Sequence, residues 1–180
     1  MSECGSARRP QVNVRRRNEA DLDRCVAVAQ IVHQLDGYPP YLPTDLRTFL
    51  VSSDACGAWV AEGNGEIVGH VALHRRSTPA AMAMASEAVQ QPVECLGTVA
   101  RLLVAPSARG HGVGQALLDE ASRAAVDLGL WPVLDVVTHL QAAIHLYERC
   151  GWTRAGEITV HLGDDYSVNE FVYIGPLGPS

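Results

Sequence analysis

The sequence predicts a mixed α/β fold, and three observations carry that prediction. The apolar runs Ala58-Trp59-Val60-Ala61 and Ile67-Val68-Gly69-His70-Val71-Ala72-Leu73 flank Gly63-Asn64-Gly65, which reads as a hairpin turn between antiparallel strands. Residues 96–104 form a longer extended apolar run of the kind found in a central strand, interrupted by Pro106. From Val113 the apolar positions recur at Leu117, Leu118, Ala121, Ala124, Ala125 and Leu128, a helical stripe that Gly129 can end in the left-handed conformation. A chain of 180 residues suits one domain with one substantial core. Residues 1–10 read as a disordered tail and residues 11–180 as that single domain.

In chain order, Val12-Asn13-Val14-Arg15-Arg16 alternates like an opening strand. Asn18 or Asp21 then caps a helix through Leu22, Cys25, Val26, Ala29 and Val32, which ends before Asp36-Gly37. Three prolines in Tyr38-Pro39-Pro40-Tyr41-Leu42-Pro43 exclude a helix interior there, and Thr44 reads as the cap of a short helix through Leu46, Phe49 and Leu50. Residues 77–93, rich in Ala and Met, fit either a short helix or a mobile segment, and periodicity leaves them unassigned. Pro132-Val133-Leu134-Asp135-Val136-Val137 is again strand-like.

Composition excludes several function classes. All fourteen basic residues are arginine. Without lysine the chain cannot build a P-loop, a pyridoxal Schiff base or a protein-kinase phosphate site. Five of those arginines lie in the first 17 residues beside Glu3 alone, so the remainder sets 9 basic against 19 acidic residues, a formal charge of −10. Nucleic acid is therefore not an expected partner, and an acidic body favours a cationic or amine ligand by generic steering. Cys4, Cys25, Cys56, Cys95 and Cys150 are odd in number and never spaced as a zinc or disulfide framework, and none of the seven histidines sits in a metal-binding motif. No metal is expected. No run approaches the ~18 apolar residues of a membrane helix and no signal core opens the chain, so the expectation is a cytoplasmic protein without a membrane partner.

The segment Arg109-Gly110-His111-Gly112-Val113-Gly114 joins the strand run to the helical stripe. Such a turn exposes backbone N–H groups at a helix N-terminus, where unpaired donors and the helix dipole favour phosphate oxygens. A Rossmann turn also places glycines between strand and helix, but its G-x-G-x-x-G spacing does not match this alternation.

Together with the flanking Leu102-Leu103-Val104-Ala105-Pro106 and Gln115-Ala116-Leu117-Leu118, the turn resembles the acetyl-CoA motif of the GNAT acyltransferase superfamily, in which Gln or Arg, two residues, Gly, one residue, then Gly or Ala correspond here to Arg109, Gly112 and Gly114. Ala143-Ile144-His145-Leu146-Tyr147-Glu148-Arg149-Cys150-Gly151-Trp152 resembles the later signature of that family. The resemblance implies a mainly antiparallel central sheet flanked by helices and splayed at the strand of residues 96–104. It implies acetyl-CoA as co-substrate, held by Leu102, Leu103, Val104, Arg109, Gly110, His111, Gly112, Val113 and Gly114, and an N-acetyltransferase that moves the acetyl group to a primary amine by direct attack. Tyr147 would serve the departing thiolate, and Asp135 would take the place of a carboxylate base.

Each assignment has a plainer alternative. Tyr147 shares a helical face with Ala143, Leu146 and Cys150, as a core tyrosine would, and Asp135 fits a solvated strand position. A phenol of pKa about 10 is also a weaker acid than a thiol near 8.5, which favours hydrogen bonding over full proton transfer. Glu94 and His139 are lesser candidates for the base. Tyr38 and Tyr41, on a proline-stiffened loop, are read as acceptor-binding, with local packing as the alternative. Leu140 stands where many relatives carry Asn, so a non-catalytic CoA-binding or regulatory module is the competing function. The acceptor's identity is open, and a homodimer is allowed.

Overall fold

The computed structural model describes residues 12–40, 44–162 and 166–177. Their strands are β1 (Asn13–Arg16), β2 (Ala55–Gly63), β3 (Glu66–His74), β4 (Leu96–Val104), β5 (Trp131–Val137), β6 (Thr153–His161) and β7 (Ser167–Ile174). They form one sheet of order β1-β2-β3-β4-β5-β7-β6, antiparallel throughout except between β4 and β5. The expected hairpin joins β2 to β3 through Asn64 and Gly65, both at positive φ, which matches the twist of the flanking strands.

Helices cover both faces. α1 (Leu22–Asp36) and α2 (Leu46–Leu50) pack Cys25, Ala29, Val32 and Leu50 onto Val60, Ile67 and Leu103. α3 (Pro79–Val89) packs Met82 and Ala85 onto Leu96, Val133 and Val172 of the same face. α4 (Val113–Asp127) and α5 (Gln141–Arg149) cover the opposite face, where Leu117, Leu118, Ile144 and Tyr147 meet Val71, Leu134 and Tyr173. The strand period of two does the sorting: Val133 and Leu134, like Val172 and Tyr173, enter different clusters. Each buried Leu in these layers contributes about 1.5–3 kcal/mol.

Two local expectations are refined. Residues 77–93 contain α3, capped by the Thr78 hydroxyl, which accepts from the Ala81 N–H, with Pro79 in the first turn. Asp45, not Thr44, caps α2: its carboxylate accepts from the Arg47 and Thr48 N–H groups, an acidic cap being the stronger acceptor.

Candidate active site

The site begins where β4 and β5 part. Their parallel pairing runs from Leu96↔Trp131 only to Thr98↔Val133, although the strands continue to Val104 and Val137. Beyond Thr98 the β4 backbone groups that face β5 lose their strand partner, and a gap opens through the sheet. A bulge widens it. Between the pairs Ala72↔Ala100 and His70↔Leu103, β4 has two residues opposite one of β3. The extra backbone is taken up at Arg101, a non-glycine residue at φ 55. Such a conformation costs roughly 1–3 kcal/mol and persists only where neighbours hold it. Here buried His70 does so. Its Nδ1 lies 3.0 Å from the Arg101 carbonyl oxygen, and its Nε2 lies 2.9 Å from Arg17 Nη1. Arg17 can only donate, so Nε2 accepts and Nδ1–H donates to the bulge. Burial pushes the His70 pKa down to about 4, which keeps this neutral form.

On the α4/α5 face the gap opens into a cleft of about 780 Å³. Leu102, Val104, Arg109, Gly110, Gly112, Val113 and Gly114 line it from the β4–α4 side. His139, Leu140, Gln141, Ala142, Ala143, Leu146, Tyr147 and Arg149 line it from the α5 side, and Val32, Asp36 and Tyr38 from α1 and its following loop. Gly112 is the N-cap of α4 at φ 81, and no side chain caps the helix. A Ser or Asp there would fill the first N–H donors itself; glycine leaves them open, and a β-carbon built on Gly112 meets no atom within 4 Å. Gly114 has a different role. A β-carbon there would lie 3.0 Å from Leu146 Cδ2, so it lets α5 approach α4. Arg109 reaches across to Asp36 at the end of α1, with Nη1 3.1 Å from Oδ1 and Nη2 bonded to Oδ2, while its Nε donates to the Val104 carbonyl at 3.2 Å.

Tyr147 is both a core residue and a cleft residue. It is buried, its ring lies 6.2 Å from that of Trp152 and 6.0 Å from that of Tyr173, and it lines the cleft. Burial, reinforced by the negative surroundings of Tyr38 and Asp135, pushes its pKa above that of a free phenol.

The opposite face of the gap holds carboxylates. Asp135 on β5 accepts from the Ser77 hydroxyl at 3.0 Å and 3.2 Å. Glu170 of β7 pairs in register with Val137, which makes it the diagonal neighbour of Asp135 on one face. Burial, followed by the charge of Asp135 and a hydrogen bond with it, pushes the Glu170 pKa up to about 8. Tyr38 stands between the halves. It lines the cleft, and burial raises its pKa to about 12, with Asp135 and Glu170 raising it and Arg101 opposing them. The Arg101 guanidinium lies 4.8 Å above the Phe49 ring.

Of the residues expected from the sequence, nine line the cleft: Leu102, Val104, Arg109, Gly110, Gly112, Val113, Gly114, Tyr38 and Tyr147. Leu103 is buried under α1 on the other face, and the exposed His111 turns its Nδ1 to the Arg109 carbonyl at 2.8 Å, so neither side chain lines it. Asp135 lies across the gap. Tyr41 falls outside the described residues. Glu94 is exposed beside the opposite end of β4, whereas His139 lines the cleft. Leu140 precedes α5 and lines the cleft with an apolar side chain; Gln141 supplies a polar contact instead, its Nε2 donating to the Thr138 carbonyl at 2.8 Å. Asp36, Ser77, Arg101 and Glu170 are additions that sequence reasoning did not single out. Among the described residues no group of three or more His, Cys, Asp or Glu is placed to hold a metal ion, and no helix is long and apolar enough to cross a membrane.

The fold recurs among solved structures. An N-acetyltransferase from Staphylococcus aureus Mu50 aligns with a TM-score of 0.72 and 20% identity, covering 93% of this chain and 99% of that one. The ribosomal-protein-S18-alanine N-acetyltransferase of Escherichia coli aligns with a TM-score of 0.66 and 17% identity over 94% and 96% of the two chains. NAA60 of Arabidopsis thaliana, solved in complex with acetyl-CoA, aligns with a TM-score of 0.67 and 19% identity over 91% and 97%. No curated protein sequence matches significantly. The sequence model of the acetyltransferase (GNAT) family matches residues 26–152, more than half of the chain and including the glycine-rich turn of residues 109–114, β5 and α5. The chain belongs to the GNAT acetyltransferase family.

Proposed function

We propose that this protein transfers the acetyl group of acetyl-CoA to a primary amine by direct attack, without a covalent enzyme intermediate. The observation that carries the reading is the gap between β4 and β5, which joins a cleft with open helix N-terminal donors on one face to a carboxyl pair on the other. The residues fit the co-substrate. The cleft volume lies in the range of cofactor sites, the open α4 N-terminus suits a diphosphate, and Leu102, Val104, Ala143 and Leu146 offer an apolar channel toward Tyr147.

Acetyl-CoA supplies a thioester carbonyl open to attack and a thiolate leaving group. Each protein group then has one task. β4 N–H groups freed by the gap polarise the carbonyl oxygen. Asp135, with Glu170, takes a proton from the acceptor ammonium, because only the neutral amine has a lone pair to give. As the C–N bond forms and the C–S bond breaks, the second amine proton is lost, and the thiol leaves with one proton. Tyr147, its pKa raised, serves by donating a hydrogen bond to the sulfur rather than by full proton transfer.

Leu140 favours the second reading, a CoA-binding module without transfer, because it removes a polar group from the cleft. Thiol release from acetyl-CoA across an amine panel, run beside calorimetric CoA binding, separates the two. Amine-dependent release supports the enzyme; binding without release with any amine supports the module.

A further inference from the structure

The acceptor half holds unused hydrogen-bonding capacity of two kinds. Among the described residues, Arg101 Nη1 and Glu170 Oε2 are both buried without a hydrogen-bond partner. Leaving a buried polar atom in that state is costly, more so when it is charged, so the pair is a standing demand for a ligand. The two groups are opposite in character. The guanidinium only donates, is always charged, and is held over Phe49. Glu170 and Asp135 are diagonal neighbours on adjacent strands, and burial beside Asp135 favours the protonated form of Glu170. Tyr38 and Tyr147 lie in the field of Asp135, which also accepts from the Ser77 hydroxyl. Arg101 lies three residues past Thr98 on β4 and Asp135 two past Val133 on β5, so the cation and the carboxyl pair stand on facing strand segments beyond the last β4–β5 pair. Arg101 and Glu170 are each partly exposed as residues, while the two unpartnered atoms themselves are buried.

We propose that the acceptor is a small zwitterionic amine of the free amino-acid class, whose ammonium is taken by Asp135 and Glu170 and whose carboxylate is taken by Arg101. The assignment rests on the acetyl-transfer reading above. Charge matching selects this class. A polyamine would set a second cation beside Arg101, and a peptide N-terminus would bring only a neutral carbonyl to it, leaving the buried guanidinium without an anion.

The test uses the full chain with acetyl-CoA and a panel of free amino acids, each beside its carboxamide, together with spermidine and an alanine-led peptide. The expected result is at least a tenfold higher kcat/KM for the best amino acid than for its carboxamide. Arg101→Gln should collapse that ratio toward one, and Arg101→Lys, which keeps the charge, should retain part of it. Melting curves confirm that both variants fold. Carboxamides, spermidine or the peptide transferred as fast as the free acid would overturn the proposal. If no amine releases thiol although CoA binds, the transfer reading fails separately, and equilibrium dialysis of labelled amino acids against the CoA-loaded protein decides this one. Retention that Arg101→Gln abolishes upholds the zwitterion site; no retention of any amino acid overturns it.

Discussion

Around the glycine-rich turn of residues 109–114 the chain presents backbone: a helix N-terminus capped by a glycine, an apolar strand edge, and a close helix contact made possible by Gly114. Across the gap it presents side chains instead, with Tyr38, Phe49, Ser77, Arg101, Asp135 and Glu170 drawn from separate segments. The turn of the first half is six contiguous residues, and in the proposed reading it takes the constant ligand. The second is assembled by strand register and packing, and its charged groups can change without disturbing the turn. A fold that divides its site in this way can keep one co-substrate while changing acceptors.

The largest expected effect falls where the halves meet. Tyr147→Phe keeps the ring between Trp152 and Tyr173 and deletes only the hydroxyl. It should lower kcat and kcat/KM together, by roughly 10²- to 10⁴-fold at most, with little change in CoA affinity. Single-turnover rates and melting temperature on one preparation separate this from a purely structural tyrosine, which would lose about 1 kcal/mol of stability at an unchanged rate. A wild-type rate would remove Tyr147 from the chemistry.

Next comes the backbone half alone. Gly112→Val forces a β-branched residue to φ 81 and puts its side chain into the open space above the turn. CoA affinity should fall by at least tenfold, about 1.4 kcal/mol, with acceptor preference intact. Calorimetry on folded protein reads it, and unchanged affinity would dissociate the turn from the co-substrate.

The division between the halves also governs what the sequence discloses. The turn at residues 109–114 was legible as an open helix N-terminus because its glycines fall within one short segment. The opening strand, the hairpin and both long helices were legible from period and turn residues. The acceptor half was not. Asp135 meets Glu170 only through the β5–β7 register, and nothing around Arg101 in the sequence announces a positive φ. The same bulge explains Leu103, which by simple alternation from Thr98 would face α4 but is turned by one extra residue toward α1. α3 escaped assignment because its Ala- and Met-rich surface lacks a polar stripe, although Thr78-Pro79 is a start signal.

A smaller effect tests whether the carboxyl pair is coupled. Glu170 holds its proton in the folded state up to about pH 8, well beyond the usual Glu value. Between those values the folded state binds more protons than the unfolded chain, so this group's contribution to stability falls as pH rises. Glu170→Gln does not titrate. Its melting temperature relative to wild type should therefore rise from pH 5 to pH 8, whereas parallel profiles would mean that Glu170 titrates as an ordinary exposed carboxylate.

The smallest effect concerns the ion pair that ties the two ends of the cleft together. Arg109 belongs to the glycine-rich turn, yet its guanidinium is engaged by Asp36 at the end of α1. An exposed pair of this kind contributes about 0.2–1 kcal/mol, so its loss should barely move the melting temperature. Binding is more informative. Asp36 places a negative charge on the cleft rim and engages the arginine of the turn, and in the proposed reading both effects oppose an anionic ligand. Asp36→Asn should therefore raise CoA affinity at low salt by no more than about fivefold, the equivalent of 1 kcal/mol, and the gain should shrink as salt screens the rim. The opposite result has an equally definite meaning. If Asp36→Asn weakens CoA binding, the pair serves to order the turn, and the backbone half then depends on a side chain from α1 to hold its donors in place.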